Sequence, residues 1–420
     1  MFQQLKKYYT DRLYRNSLAF ILNAAISSFY GLIFWILAAR LLPASDIGIA
    51  TLVISVASMI ISLSRLGLDA GLMRFLPSAK DKNVLFNTIT IITLALSLLI
   101  AVAYLAGLDI FSPAQSFLRG GWLMLIFLGY IAIASINISQ NSAITAMRRV
   151  DLMVIQNSIL GMRIVLLYFI AALGFIGVLL SFNIAYILSL VVGSVILFKN
   201  GIRPAPDVRL SAIKGTVKFS FGNYVADNMA ALPLTLMPIF IINSLGAEQN
   251  AYYFIAVNIT SILFTVPSSI AASLFVEGSN DFPMRANTIK ALKFSLLILV
   301  PMVLVLIVFG NLILSLFGSA YVSHSLDFLK LMAIASVFTI VPAIYVAIKK
   351  VHKDVVTQNF VIFAISAMVI VLGYVLLPQF GIIGIGYAWL ASSLLVSLLV
   401  LGLVLRHDKW ELPGYIRRPA

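Results

Sequence analysis

At 420 residues, 61% hydrophobic and only 10% charged, with a mean hydropathy of +1.06, the chain has too little polar sequence to cover a soluble core. It has no cysteine, which excludes disulfides and thiolate metal sites, and its three histidines (His324, His352 and His407) form no metal-binding motif. The net charge of +14 would suit nucleic acid, yet no polar domain is present to carry that role, so its meaning lies in how it is distributed. The expectation is an all-α polytopic membrane protein that needs no cofactor.

A bilayer core about 30 Å thick takes roughly 20 apolar helical residues, and only helices satisfy their own backbone groups over such runs. The first run follows Lys6, Lys7, Arg12 and Arg15. It is too long for a signal-peptide core and no small-residue cleavage pattern follows it, so it reads as a retained first helix. In chain order the sequence predicts twelve helices: 16–40, 47–75, 84–106, 120–147, 152–173, 178–198, 216–242, 250–275, 290–312, 326–347, 357–377 and 381–405. The first two form a hairpin around Arg40, Pro43, Ser45 and Asp46, and the second ends in Arg65, Asp69 and Arg74. Pro233, Pro238, Pro267, Pro301 and Pro342 fall inside later spans and predict bent helices, because proline removes a backbone donor. Spans three, six, eleven and twelve are the more uniformly apolar and suit lipid contact or scaffold packing.

The basic residues test this count. With twelve spans, 24 of the 29 Lys and Arg residues fall on one side of the membrane. Arg40, Arg119 and Lys330 lie on the other, and Arg65 and Arg163 lie within it. Positive-inside asymmetry then places both termini in the cytoplasm of a multi-pass cell-membrane protein. The connection with Gly201, Pro204, Pro206 and its basic residues divides the chain into a six-helix lobe (1–200), a basic cytoplasmic linker (201–215), a second six-helix lobe (216–405) and a cytoplasmic tail (406–420). A weak echo between 41–48 and 244–249 fits a parallel repeat, a known transporter plan. The linker charges otherwise set topology and bind anionic lipid headgroups.

With no catalytic motif, polar groups inside the membrane carry the functional signal. Arg163 lies mid-way along the fifth span, where an arginine costs about 2.5–3.5 kcal/mol on insertion scales. It either binds an anionic head group or pairs with an acidic side chain. Gln156, seven residues earlier, shares its face. Asp227, with Asn223 and Asn228 nearby, is a cation or proton site or the partner of Arg163. Arg65 and Asp69, four apart, are placed to pair, with Arg74 beyond them at a basic cytoplasmic mouth. Asn137 and Asn141 share a face on helix four, and Asn23 and Ser27 on helix one. The candidate substrate-binding residues are therefore Arg163, Arg65, Arg74, Asn137, Asn141, Gln156 and Asn23. The candidate ion or charge-pair residues are Asp227, Asn223 and Asp69. There is no Walker motif, no pair of closely spaced membrane aspartates and no His cluster, so the expectation is a carrier and not an enzyme.

The first hairpin carries a more specific signal. Asn16-Ser17, Ala38-Ala39-Arg40-Leu41-Leu42-Pro43, Asp46-Ile47-Gly48, Leu66-Gly67-Leu68-Asp69-Ala70-Gly71 and Arg74-Phe75-Leu76 resemble the O-antigen-type polysaccharide flippases of the superfamily that also holds multidrug-and-toxin extruders and lipid II flippases. The resemblance implies two six-helix lobes in a V. It implies movement of a polyprenyl-(pyro)phosphate-linked oligosaccharide between leaflets by alternating access, for lipopolysaccharide or other surface polysaccharide. Membrane lipids surround such a carrier, and a polysaccharide polymerase and glycosyltransferases are its implied partners. Twelve spans disfavour the lipid II branch, which usually has fourteen. The extruder branch, with a membrane carboxylate for cation coupling, is the alternative that Asp227 keeps open.

Overall fold

The computed structural model describes residues 12–147, 149–203, 205, 207–278 and 284–406, without the side chains of 12–25, 111, 150, 214–223, 276–278, 284–286 and 405–406. The basic amino terminus and most of the tail lie outside the described residues. Among those described there are helices and no strands. Eleven are long and apolar enough to cross a membrane, and the first helix adds a shorter apolar segment, Ile26–Leu41. The chain is a multi-pass membrane protein.

The first spans are α1 (Arg12–Leu41) and α2 (Ala44–Ser64), followed by α3 (Leu68–Phe75). The second predicted span is thus two helices. Its break falls where Leu66 and Gly67 take positive φ, 48° and 75°. A leucine there costs about 1 kcal/mol or more, and Leu66 is held by packing on a buried cluster of Leu68, Leu72, Phe86 and Ile144. The break leaves helix-end carbonyls without intrahelical donors. One of them, Leu63 O, accepts a 2.6 Å hydrogen bond from the Tyr224 hydroxyl.

Next come α4 (Lys82–Ala106), α5 (Gly121–Ala146), α6 (Val150–Leu160), α7 (Arg163–Ile170) and α8 (Phe175–Lys199). The fifth predicted span is again interrupted, at Gly161 and Met162, so Arg163 opens the second segment. At Gly161 an added Cβ would come within 2.9 Å of the Tyr30 ring, which explains a glycine there. After α8, the chain is strapped to the start of α4. Arg203 N donates to Asn83 Oδ1 at 2.7 Å and Asn87 Nδ2 to Arg203 O at 3.1 Å. Ala205 N donates to Asn87 Oδ1 at 3.1 Å and Arg209 N to Thr88 Oγ1 at 2.9 Å. Three side chains from the first two turns of α4 supply the partners that this irregular backbone lacks.

The remaining helices are α9 (Lys214–Leu245), α10 (Ala247–Gly278), α11 (Met284–Ser315), α12 (Ser319–Phe338), α13 (Ile340–Val351), α14 (Val355–Phe380) and α15 (Ile382–Arg406). The twelve predicted spans all have helical counterparts. The tenth is divided at Thr339, three residues before Pro342. Proline has no N–H for the carbonyl four residues back, that of Phe338, and the Ser397 hydroxyl of α15 donates to that carbonyl instead.

The chain divides into two compact units. One runs to Asn228 and takes in Gly246–Ala251; the other comprises Met229–Leu245 and the residues from Tyr252 onward. In the first, α5 packs against α4 and α8, and α2 against α4. Asn250, wholly buried, donates to Gly48 O at 2.7 Å and to Thr51 Oγ1 at 3.2 Å. In the second, α15 packs against both α14 and α12, and its seam with α14 holds Val361, Val396 and Val400, with Val341 and Tyr345 of α13 against it.

Asp354 caps α14, accepting from Thr357 N at 3.1 Å, and pairs with Lys349 at 3.2 Å. The hydrogen bonds from Thr357, aided by the Lys349 ammonium, hold its carboxyl below the usual carboxylate range. A lowered acid pKa contributes stability above the unfolded value, and that contribution is lost as pH falls through the folded value. Replacing an N-cap acid by alanine costs about 0.5–2 kcal/mol. Asp354→Ala is therefore expected to melt below wild type at pH 7, and the gap should close below about pH 4. A gap that stays constant with pH in detergent melting curves would remove the charge from this account.

Candidate functional site

The first unit contains a polar cavity of about 360 Å³, lined in part by Arg65, Asp69, Asn137, Asn141, Asn157 and Tyr186. The break after α2 and the short helix α3 bring Arg65 and Asp69 to it. Their ion pair, expected from the spacing, forms at 2.9 Å, with side-chain exposures of 30% and 25%. A pair this exposed contributes about 1 kcal/mol at most. Its larger consequence is that the cavity's cation and its carboxylate neutralise each other. Arg65 Nε and Asn141 Oδ1 are left as a buried donor and a buried acceptor without protein partners.

α5 contributes the amides. Asn141 Nδ2 donates to both Asn137 O and Oδ1 at 3.2 Å, and Asn137 Nδ2 donates to Ser189 Oγ at 2.8 Å. From there a buried polar network leads away from the cavity. Gln156 Nε2 donates to Gln140 Oε1 at 3.0 Å, and Gln140 Nε2 to Ser194 Oγ at 2.9 Å. Gly193 makes room for this pair of glutamines: a Cβ there would lie 2.2 Å from Gln140 Oε1 and 2.3 Å from Gln156 Nε2. Gln156 is thus a wholly buried structural partner of Gln140 and Ser189 and does not line the cavity.

Arg163 lies beside the cavity and does not line it. Its guanidinium carbon is 4.7 Å from the Phe182 ring centroid and 5.3 Å from that of Phe34. Phe34 and Phe182 meet edge to face at 5.1 Å, and Tyr130 adjoins both Phe182 and Tyr186. Tyr130 and Tyr186, in edge-to-face contact with each other, extend this aromatic cluster. Among the described residues Arg163 makes no ion pair, with Asp227 or any other acid, and its Nε is buried without a partner. Tyr186 touches both settings: it lines the cavity and meets Tyr130 of the aromatic cluster.

The other predicted residues lie apart. Arg74 is exposed on the last turn of α3, 5.6 Å over the Phe75 ring, and Asp227 is exposed on α9. The side chains of Asn23 and Asn223 fall outside the described residues. The sequence reading missed Asn157, Ser142, Thr145, Met73 and Tyr186 as cavity residues. Asn157 adjoins Gln156 and carried a legible signal as a second amide in an apolar span. Tyr186 belongs to the sixth span, whose apolar composition hid it, although that span also buries Ser181, Asn183 and Ser189.

A family model described as a polysaccharide biosynthesis protein matches residues 36–326, more than half of the chain. The chain belongs to this family. The match takes in Arg65, Asn141, Asn157, Arg163 and Tyr186. The comparison with curated proteins gives no match. Among solved structures, an inward-facing multidrug resistance MATE family transporter of the MOP superfamily aligns with TM-score 0.72 at 15% identity, over 93% of this chain and 99% of its own. An outward-facing one gives 0.64 at 14% identity, over 94% and 95%. A MOP superfamily transporter from Pyrococcus furiosus, described by a binding pocket of reverse polarity and a different function, gives 0.59 at 15% identity, over 95% and 96%. This polysaccharide biosynthesis protein family member therefore has the all-α fold of MOP superfamily transporters. All three structures are described as transporters.

Proposed function

We propose that the protein is a membrane transporter that moves a polyprenyl-(pyro)phosphate-linked oligosaccharide across the cytoplasmic membrane by alternating access, for surface polysaccharide synthesis. The observation that carries this reading is the family match over 36–326, which spans every polar residue of the cavity except Ser27. The chemistry of the cavity supports it, since amides, hydroxyls and one internal ion pair suit a hydroxylated substrate. Arg163, half-buried beside the cavity and, among the described residues, in no ion pair, supplies positive potential for the phosphate. A second reading, a cation-coupled multidrug exporter, draws support from the MATE transporters among the similar structures. Asp227 is the carboxylate it would use.

The test is reconstitution of the purified protein in liposomes, following a polyprenyl-pyrophosphate-linked oligosaccharide and a cationic dye in parallel. Transbilayer movement of the lipid-linked sugar, with no gradient-driven dye uptake, is the expected result. Dye transport driven by an imposed cation gradient, with no lipid movement, would replace the proposal with the exporter reading.

A further inference from the structure

We infer that the cavity in the first unit is a subsite for an uncharged, polyhydroxylated ring: a sugar unit of the substrate, and not its phosphate. This rests on the transport reading above for its ligand class, and on the cavity itself for its chemistry.

Charge comes first. A phosphate site needs unspent positive charge, but Arg65 is committed to Asp69 at 2.9 Å. Arg163 does not line the cavity. An organic cation needs an unspent carboxylate, and Asp69 is committed in the same bond. An apolar drug would desolvate Asn141, Asn157 and the Arg65–Asp69 pair without returning hydrogen bonds, which is costly for buried polar groups.

What remains suits a neutral polyol. Amides and hydroxyls present donors and acceptors side by side, and sugar hydroxyls act as both. Tyr186 offers an aromatic ring beside them. The volume, about 360 Å³, falls at the lower end of the roughly 300–1,000 Å³ typical of small-molecule sites, which limits the ligand to a small piece of a glycan.

The experiment is direct binding to the purified protein by saturation-transfer NMR. The probes are neutral disaccharides built from hexose, deoxyhexose and N-acetylhexosamine units, with inorganic pyrophosphate and tetraphenylphosphonium as charged competitors. The expected result is binding of at least one disaccharide that neither charged probe displaces. Asn141→Leu and Asn157→Leu should each weaken it about ten-fold, the loss of one or two hydrogen bonds, with melting temperature held near wild type. If either variant fails to fold, Tyr186→Ala, tested with the same probes, replaces it. Displacement by pyrophosphate that disappears in Arg65→Gln would make this an anion site and overturn the proposal. Displacement by tetraphenylphosphonium that disappears in Asp69→Asn would overturn it in favour of a cation site. Absence of any disaccharide binding up to tens of millimolar would also overturn it. Lipid-linked glycan movement in liposomes without disaccharide binding defeats the subsite alone; disaccharide binding without lipid movement defeats the transport reading alone.

Discussion

Gly48→Ala is expected to abolish accumulation of well-folded protein. A Cβ at this position would lie 1.7 Å from the carbonyl oxygen of Ala247 and 2.5 Å from its carbonyl carbon. Both are backbone atoms, so no rotamer change relieves the clash and the two helix starts must separate. Separation pulls Gly48 O from Asn250 Nδ2, now 2.7 Å away, and Asn250 is wholly buried. Overpacking typically costs about 1–3 kcal/mol and a stranded buried amide about 1–3 kcal/mol more. The sum rivals the lower end of the 5–15 kcal/mol, roughly, that holds a folded domain together. Gly402→Ala is the matched control, because an added Cβ there meets nothing within 4 Å. Size-exclusion profiles and melting curves in detergent decide the matter. A Gly48→Ala protein melting with the control would mean that the helix starts are not in contact as described.

Arg163→Met should have the largest effect on transport with the least on the fold. Removing a charge from mid-span recovers about 2.5–3.5 kcal/mol of insertion cost. It also forfeits the contacts with Phe34 and Phe182, each worth about 0.5–2 kcal/mol when desolvated. The two terms nearly cancel, and methionine refills the space, so abundance and melting temperature should hold. Transport should not hold. The attraction of this charge for a substrate anion about 10 Å away is worth about 1.5 kcal/mol at an effective dielectric of roughly 20, which corresponds to a fall of roughly ten-fold in lipid-linked glycan movement. Arg163→Lys keeps the charge and should keep part of the activity. Undiminished glycan movement by Arg163→Met, or a loss no greater than the loss of folded protein, would end the assignment.

The spans were legible because a membrane helix advertises itself locally, by length and by the basic residues that bracket it. The Arg65–Asp69 pair was legible from its close spacing, although the two partners sit on either side of the break at Leu66 and Gly67 and not on one helical turn. Arg163 was legible as an oddity, but its surroundings were not. Phe34, Tyr130 and Phe182 come from the first, fourth and sixth spans, and only folding assembles them. The shared face assigned to Gln156 and Arg163 assumed one continuous helix. Gly161 and Met162 interrupt it, and the two side chains end in different places, Gln156 against Gln140 and Arg163 against aromatic rings. Tyr186 was hidden because average hydropathy weighs a lone phenol lightly in a strongly apolar helix.

Gly246–Ala251 belongs to the first unit, although it follows all of α9 in the chain. This sets an order for biosynthesis. When the ribosome has completed residue 213, six spans have been made, yet the amide that reaches Gly48 O is still 37 residues away, in Asn250. The first unit cannot reach its final packing until a seventh span has been made and the chain has turned at Gly246, whose φ of +89° suits glycine alone. Through that interval Gly48 O lacks its Asn250 donor, and a half-length translation product ending in the strap would also lack Tyr224, the donor to Leu63 O.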